Sequence, residues 1–239
     1  MDTEYITTLI RNFEIFSSVT ECIYVWDIQK KQFCCVKADD LFLCGYSAEE
    51  ALRNGYDFYH KIIHPKDLSP CLDMQIAIFQ YLKNDQWDLN EIVHFSCTFR
   101  LQRNYSFLPT RSLSQMIYHK ATPVWEDQKL RYLICSVNSS VIKNTGNLRA
   151  YHKGRLAYDE YNFVTKRWEH KTKELLTERE KAILMLAEQG KSSVEIANIL
   201  YKGHDTIRNQ IKALFIKLDV HSMQEAREIA HSDQMIYSK

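Results

Sequence analysis

The 239-residue sequence predicts an α+β protein with two domains: an antiparallel sheet with helices first, and a four-helix domain containing a helix-turn-helix last. Three observations lead there. Val93, Phe95, Cys97, Phe99 and Leu101 alternate with Ile92, His94, Ser96, Thr98 and Arg100, the period of a strand with one buried face. Thr177 with Glu180, Ser192 with Glu195, and Ser222 with Glu225 each have the spacing of a capping box, so three helix starts crowd into the last quarter of the chain. Ile207, Ile211, Leu214, Phe215 and Leu218 then recur at helical spacing behind a short break at 201–203.

Composition sets the bounds. The length suits two domains of ordinary size, and 4 Pro and 6 Gly leave little room for low-complexity tracts. Formal charge is +1, so no global basic field announces nucleic acid, and any such argument rests on local placement. Met1-Asp2-Thr3-Glu4 lacks the basic region and apolar core of a signal peptide. No apolar run is long enough to span a bilayer, so a cytoplasmic chain with no membrane contact is expected. An odd 7 Cys with no C-x-x-C argues against a disulfide framework and a zinc knuckle; no metal site and no cofactor is expected. Enzyme signatures are missing: there is no G-x-S-x-G, phosphate loop or H-E-x-x-H. The acidic pair Asp39-Asp40 stands outside any parallel α/β pattern.

In chain order, residues 4–17 read as a helix with Ile6, Leu9, Ile10, Phe13 and Phe16 in one stripe, packed on its own domain or used in dimerisation. Strands at 22–27 and 33–36 are joined as a hairpin by 28–32. A turn-rich helical stretch follows at 40–63, with a capping box at Ser47 and Glu50. His64-Pro65 breaks it, because the residue before Pro avoids the helical region. Ser69 then caps a helix with Pro70 in its first position, continued by Leu72, Ile76, Phe79 and Leu82. After the alternating strand at 93–101, two more are expected at 116–125 and 130–137. Tyr151, Tyr158, Tyr161, Phe163 and Trp168 make 146–173 too aromatic for a solvated tether. The expected division is therefore 1–145, a packed connector at 146–173 turning at Lys153-Gly154, and 174–239. The alternative for the middle piece is an extra strand pair completing the first domain.

The order of two strands, short helices and three strands, with Leu43-Cys44-Gly45-Tyr46-Ser47-Ala48-Glu49-Glu50 and Ile62-Ile63-His64-Pro65-Lys66-Asp67-Leu68 inside it, resembles a PAS domain over 19–141. The resemblance implies a module that senses a small molecule, light or redox state, or dimerises. The G-x-N-C-R-F run of flavin-binding light sensors is missing, and His64 belongs to the family's structural turn rather than to a haem site. Two expectations stand for the interior. One is a pocket between strand 93–101 and the helices before it, lined by Phe95, Cys97 and Phe99, for an apolar or aromatic small-molecule ligand. The other is a filled core used for dimerisation.

In the last quarter, Gly190 is placed to stop the first helix, and Ile196, Ile199 and Leu200 mark the apolar face of the second. On the third, Arg208, Asn209 and Lys212 lie opposite the apolar stripe, with Thr206 and Gln210 at their flanks. Arg grips a guanine edge bidentately, Asn an adenine edge, and Lys a base or phosphate. Leu176-Thr177-Glu178-Arg179-Glu180, Glu195-Ile196-Ala197, Thr206-Ile207-Arg208 and Lys217-Leu218-Asp219-Val220 resemble, in order and spacing, the LuxR-type helix-turn-helix signature. The resemblance implies a transcription regulator. Its third helix reads double-stranded DNA through Thr206, Arg208, Asn209 and Lys212, and its fourth supports a homodimer through Met223, Ala226, Ile229 and Ala230. RNA polymerase is the further partner implied. Two positions depart from the family pattern: Gly203 stands where Ser or Thr usually caps the recognition helix, and Asp205 where a basic or neutral residue is usual. The rival reading is an interaction module whose Arg208 and Lys212 face an acidic protein.

Overall fold

The computed structural model describes residues 8, 22–37, 40–83, 91–103, 113–126, 129–140, 142–153, 157–172, 175–218 and 220–232. The helix expected at 4–17, apart from Thr8, lies outside the described residues, as do Asp39 and Gly154. The chain divides into two compact units, residues 1–171 and 172–239.

The first unit is an antiparallel sheet with helices. Its strands are β1 (Cys22–Asp27), β2 (Gln32–Val36), β3 (Ile92–Arg103), β4 (Leu113–Glu126), β5 (Lys129–Ser139), β6 (Gly146–His152), β7 (Ala157–Asn162) and β8 (Arg167–Thr172), in the spatial order β2-β1-β5-β4-β3-β6-β7-β8. Between β2 and β3 run α1 (Asp40–Leu43), α2 (Ala48–Asn54), α3 (Asp57–Ile62), a 3-10 turn (Pro65–Asp67) and α4 (Leu68–Leu82). Phe42, Ala51, Phe58, Ile62, Met74 and Ala77 from these helices pack on Tyr24, Trp26, Phe33, Phe99, Leu101 and Ile117 of the sheet. Burial of these large side chains is the main stabilising term, at roughly 1.5–3 kcal/mol for each big aliphatic or aromatic residue.

Residues 146–172 correct the expected division. They are no separate connector: β6 pairs with β3, β7 with β6, and β8 extends the same sheet. The alternative of extra strands is the one the structure follows, with three rather than two. The aromatic residues that ruled out a tether are the packing face of this extension, since Tyr161, Phe163 and Trp168 join the main core.

Two further differences have clear causes. Strand β3 is buried on both faces: His94, Ser96 and Thr98 are covered as fully as Phe95, Cys97 and Phe99, His94 by the stacked Tyr151 ring (4.5 Å) and Thr98 by its bonds to Asn144 and Asn147. Its alternation also breaks at a bulge between Ile92 and His94, which turns Ile92 inward and leaves Val93 42 % exposed. Helix α4 begins at Leu68 rather than at Pro70, because the 3-10 turn runs straight into it. Buried Asp67 anchors that turn. It accepts from the Arg100 backbone N–H (2.8 Å), from the Arg100 guanidinium and from Thr145 Oγ1 (2.8 Å). Pro70 thus sits in the first turn, where a missing N–H is harmless.

Candidate functional site

The second unit holds α5 (Glu178–Glu188), α6 (Ser193–Ile199), α7 (His204–Leu218) and α8 (Met223–Ser232). Thr177 and Ser192 close reciprocal capping boxes with Glu180 and Glu195. At the fourth helix the box is offset. Ser222 Oγ accepts from Glu225 N–H (3.2 Å), but the Glu225 carboxylate reaches back to His221 N–H (2.8 Å). Gly190 ends α5 at φ +78°, with Gly190 and Lys191 N–H bonded back to Ala187 and Leu186 carbonyls.

The turn between α6 and α7 falls at 201–203, and Gly203 precedes α7 with its carbonyl accepting from Ile207 N–H (3.2 Å). Tyr201, not Gly203, occupies the left-handed position, at φ +52°. Its N–H bonds to Asn198 O (3.2 Å) and that of Lys202 to Ala197 O (2.9 Å), the pattern of a helix C-terminal cap. Gly203 has no left-handed backbone, and a Cβ there would meet only Thr206 Oγ1 at 3.6 Å.

Helix α7 is held from below. Ile207, Leu214 and Leu218 are buried, packing on Ile183, Ile196 and Ala197 at one end and on Leu176, Leu184 and Val220 at the other. Polar ties fix the frame: Arg179 donates to Leu200 O (3.0 Å), Arg227 to Ala187 O (3.2 Å), and Lys217 Nζ to Glu180 Oε2 (2.9 Å) and Leu175 O (2.7 Å). Lys217 is therefore a structural cation. Thr206, Arg208, Asn209 and Lys212 are all exposed on the outer side of α7. The structure brings together the four side chains expected to meet DNA. Two large side chains that the sequence patterns did not single out are also exposed: Tyr201, 93 % in the turn, and Ile216, 83 %, one turn beyond Lys212. Ile216 was visible as an apolar residue off the buried stripe.

The expected dimerisation set fares differently. Ala226 and Ala230 are fully buried in the unit's own core, with Met223 and Ile229 partly buried against it. The stripe of α8 faces inward, because four short helices need it to close their core. Ile199, expected on the inner face of α6, is 45 % exposed, and Ala197 takes its place.

In the first unit a cavity of about 380 Å³ opens between the sheet and the helices, with Cys97, Phe99, Tyr24, Tyr59, His119 and Met74 in its wall. Phe95 shares the strand face of Cys97 and Phe99 but lies outside the cavity. There it packs with Tyr81, Leu82, Ile92 and Ala150, edge-on to the Tyr81 ring at 5.7 Å. The polar part of the wall was missed from sequence. Tyr59 O–H donates to Tyr24 Oη (2.9 Å), Tyr24 Oη is 2.6 Å from His119 Nε2, and Cys97 Sγ is 3.9 Å from His119 Nδ1. The available signal was parity: His119 shares the inward register of Ile117 and Ala121 on β4. Burial lowers the His119 pKa to about 4, so the imidazole is neutral at ordinary pH. Burial also pushes the Cys71 and Cys135 thiols up to about 12, and that of Cys97 well above its ordinary range, leaving all three as unreactive thiols. Among the described residues no group of His, Cys, Asp and Glu is arranged to hold a metal ion.

The family model of bacterial regulatory proteins of the luxR family matches residues 174–230. The C-terminal unit is a luxR-type helix-turn-helix domain. This luxR-type domain is the DNA-binding part of a transcription regulator. Comparison with curated proteins gives no match. Among solved structures, the chain is similar to a PAS domain from Colwellia psychrerythraea, with 15 % identity, TM-score 0.39, and coverage of 55 % of this chain and 96 % of that one. It is also similar to VqmA of Vibrio cholerae in a complex with ligand and DNA, with 15 % identity, TM-score 0.34, and coverage of 95 % and 88 %. A domain of a light- and redox-sensing histidine kinase of Haloarcula marismortui gives 12 % identity, TM-score 0.36, and coverage of 54 % and 97 %. No helix among the described residues is long and apolar enough to cross a membrane.

Proposed function

We propose that the protein is a homodimeric transcription regulator that acts in the cytoplasm, reads an inverted-repeat operator with α7 and answers to a small molecule held in the cavity of its first unit. The observation that carries the DNA reading is the exposure of Thr206, Arg208, Asn209 and Lys212 on one side of a helix whose other side is locked into a core. In this reading Arg208 and Asn209 meet base edges, while Lys212 and Thr206 meet base or backbone. Asp205 lies in the first turn, where its charge suits the helix dipole at some cost in phosphate attraction. The homodimer forms through surfaces other than Ala226 and Ala230, which are spent inside the unit. Bound beside a promoter, such a dimer contacts RNA polymerase.

The test is selection of genomic fragments with the purified full chain at graded salt. An inverted repeat with half-sites about one helical turn apart is expected, with affinity falling steeply as salt rises. A chain that enriches no sequence, or that saturates a lone half-site as a monomer, rules the reading out. Capture of an acidic protein without DNA binding would favour the interaction module instead.

A further inference from the structure

The wall of the cavity is mostly apolar, and its hydrogen-bonding side chains fall into two sets: Tyr56 O–H donates to Gln75 Oε1 (2.8 Å), and Tyr59, Tyr24 and His119 form a short chain. Tyr59 gives its proton to Tyr24, so Tyr24 must place its own proton elsewhere. The 2.6 Å contact to His119 Nε2 takes it, since a ring nitrogen accepts far better than the neighbouring thiol of Cys135. Nε2 is then an acceptor, and the proton of the neutral imidazole sits on Nδ1. That Nδ1–H meets only the Cys97 sulfur at 3.9 Å, a weak acceptor at a long distance. It is a part-buried donor at the cavity wall with no oxygen or nitrogen among the described residues to satisfy it. The cavity offers no carboxylate, and its one lining cation, Lys31, is exposed.

We infer that the cavity takes a small uncharged molecule, at least partly aromatic, that accepts a hydrogen bond from His119 Nδ1–H through a carbonyl oxygen or a ring nitrogen. This rests on the reading of the first unit as a ligand sensor and adds the chemistry of the ligand. A carboxylate or phosphate would enter without a buried cation to meet it. A donor-only molecule would leave Nδ1–H unanswered. An apolar ring would fill the space and gain no polar contact. Flat ring systems suit walls made of Phe99, Tyr24, Tyr59 and Met74.

Four probes of similar size separate these cases: quinoline with a ring-nitrogen acceptor, indole with only a donor, naphthalene with neither, and 2-naphthoate with a negative charge. Affinities are measured on the full chain by calorimetry or by quenching of intrinsic fluorescence. Quinoline is expected to bind several-fold tighter than naphthalene and indole, with 2-naphthoate weakest, and the quinoline preference should vanish in His119→Phe while naphthalene still binds. Nitrogen-15 spectra of the unaltered protein supply a readout that needs no variant: His119 should be the Nδ1–H tautomer, with its Nδ1 resonance moved by quinoline and not by naphthalene. Equal binding of quinoline and naphthalene, or an Nε2–H tautomer, overturns the chemistry proposed here and leaves the sensor reading standing. No binding of any probe to the folded full chain, with Ala121→Phe also indistinguishable from it, overturns both.

Discussion

Tyr81, near the end of α4, donates its hydroxyl to the carboxylate of Asp159 on β7, and both side chains are almost completely buried. Two histidines complete the cluster: His152 Nε2 is 3.0 Å from the same carboxylate oxygen, and His170 Nδ1 is 2.8 Å from the other. The helix that walls the cavity is thereby pinned to the sheet extension. Burial alone would raise the Asp159 pKa, but the hydrogen bonds from Tyr81, His170 and His152 outweigh it and hold the carboxyl below its ordinary range. Tyr81→Phe should cost about 1–3 kcal/mol of stability, the worth of a hydrogen bond to a charged group, read by urea unfolding of the full chain. Because the folded pKa is depressed, this stabilisation is present above the ordinary carboxylate range and is lost as pH falls through the folded value. A Tyr81→Phe variant as stable as the parent at pH 7 would mean that the cluster is not a fastening.

Acid should act on His119 before it reaches Asp159. An imidazole titrating at about 4 when folded and near its ordinary 6.5 when unfolded binds fewer protons in the fold. Its contribution is complete above the unfolded value and is lost as pH falls from there towards 4, on the order of 3 kcal/mol at the lower end. His119→Phe should flatten this part of the stability profile. An unchanged slope between pH 6.5 and 4 in that variant would contradict the assignment.

Two glycines in the luxR-type domain should respond to alanine for different reasons. Gly190 has φ +78° and open space around it, so Gly190→Ala adds backbone strain of roughly 1 kcal/mol without a clash. Gly203 has an ordinary backbone but is the N-cap of α7, its carbonyl accepting from Ile207 N–H (3.2 Å), so Gly203→Ala should cost about 0.5–1 kcal/mol through the cap and Gly203→Ser should recover it. At the left-handed Tyr201, Tyr201→Gly should relieve strain and raise the melting temperature. Thermal unfolding of these variants checks the set, and a Tyr201→Gly protein that melts below the parent would refute the turn geometry.

On DNA, Arg208→Ala should cost about 1–3 kcal/mol and relax base preference at one operator position. Lys212→Ala should weaken all sites alike if it meets phosphate, and lower the salt slope by about one. Both residues are exposed, so circular dichroism should be unchanged. Undiminished binding by a folded Arg208→Ala protein would remove the major-groove model.

Local rules carried much of this protein on their own. A capping box needs only residues three apart, so the starts at Ser47, Thr177 and Ser192 could be read directly, and the same holds for the buried stripe of α7 and the exposed set from Thr206 to Lys212. What depends on residues far apart in the chain had to wait for the tertiary structure. Alternation in β3 shows which side chains share a face; only the fold brings Tyr151, Asn144 and Asn147 over the other face as well. The inward stripe of α8 looks the same whether a second chain or its own domain covers it, and packing against Leu214 and Leu218 decided for the domain. Tyr24, Tyr59 and His119 are scattered over 95 residues, and folding alone sets them in one hydrogen-bonded chain at the cavity wall. Hydrophobic periodicity is a local property, whereas cavities and proton positions are properties of surfaces brought together.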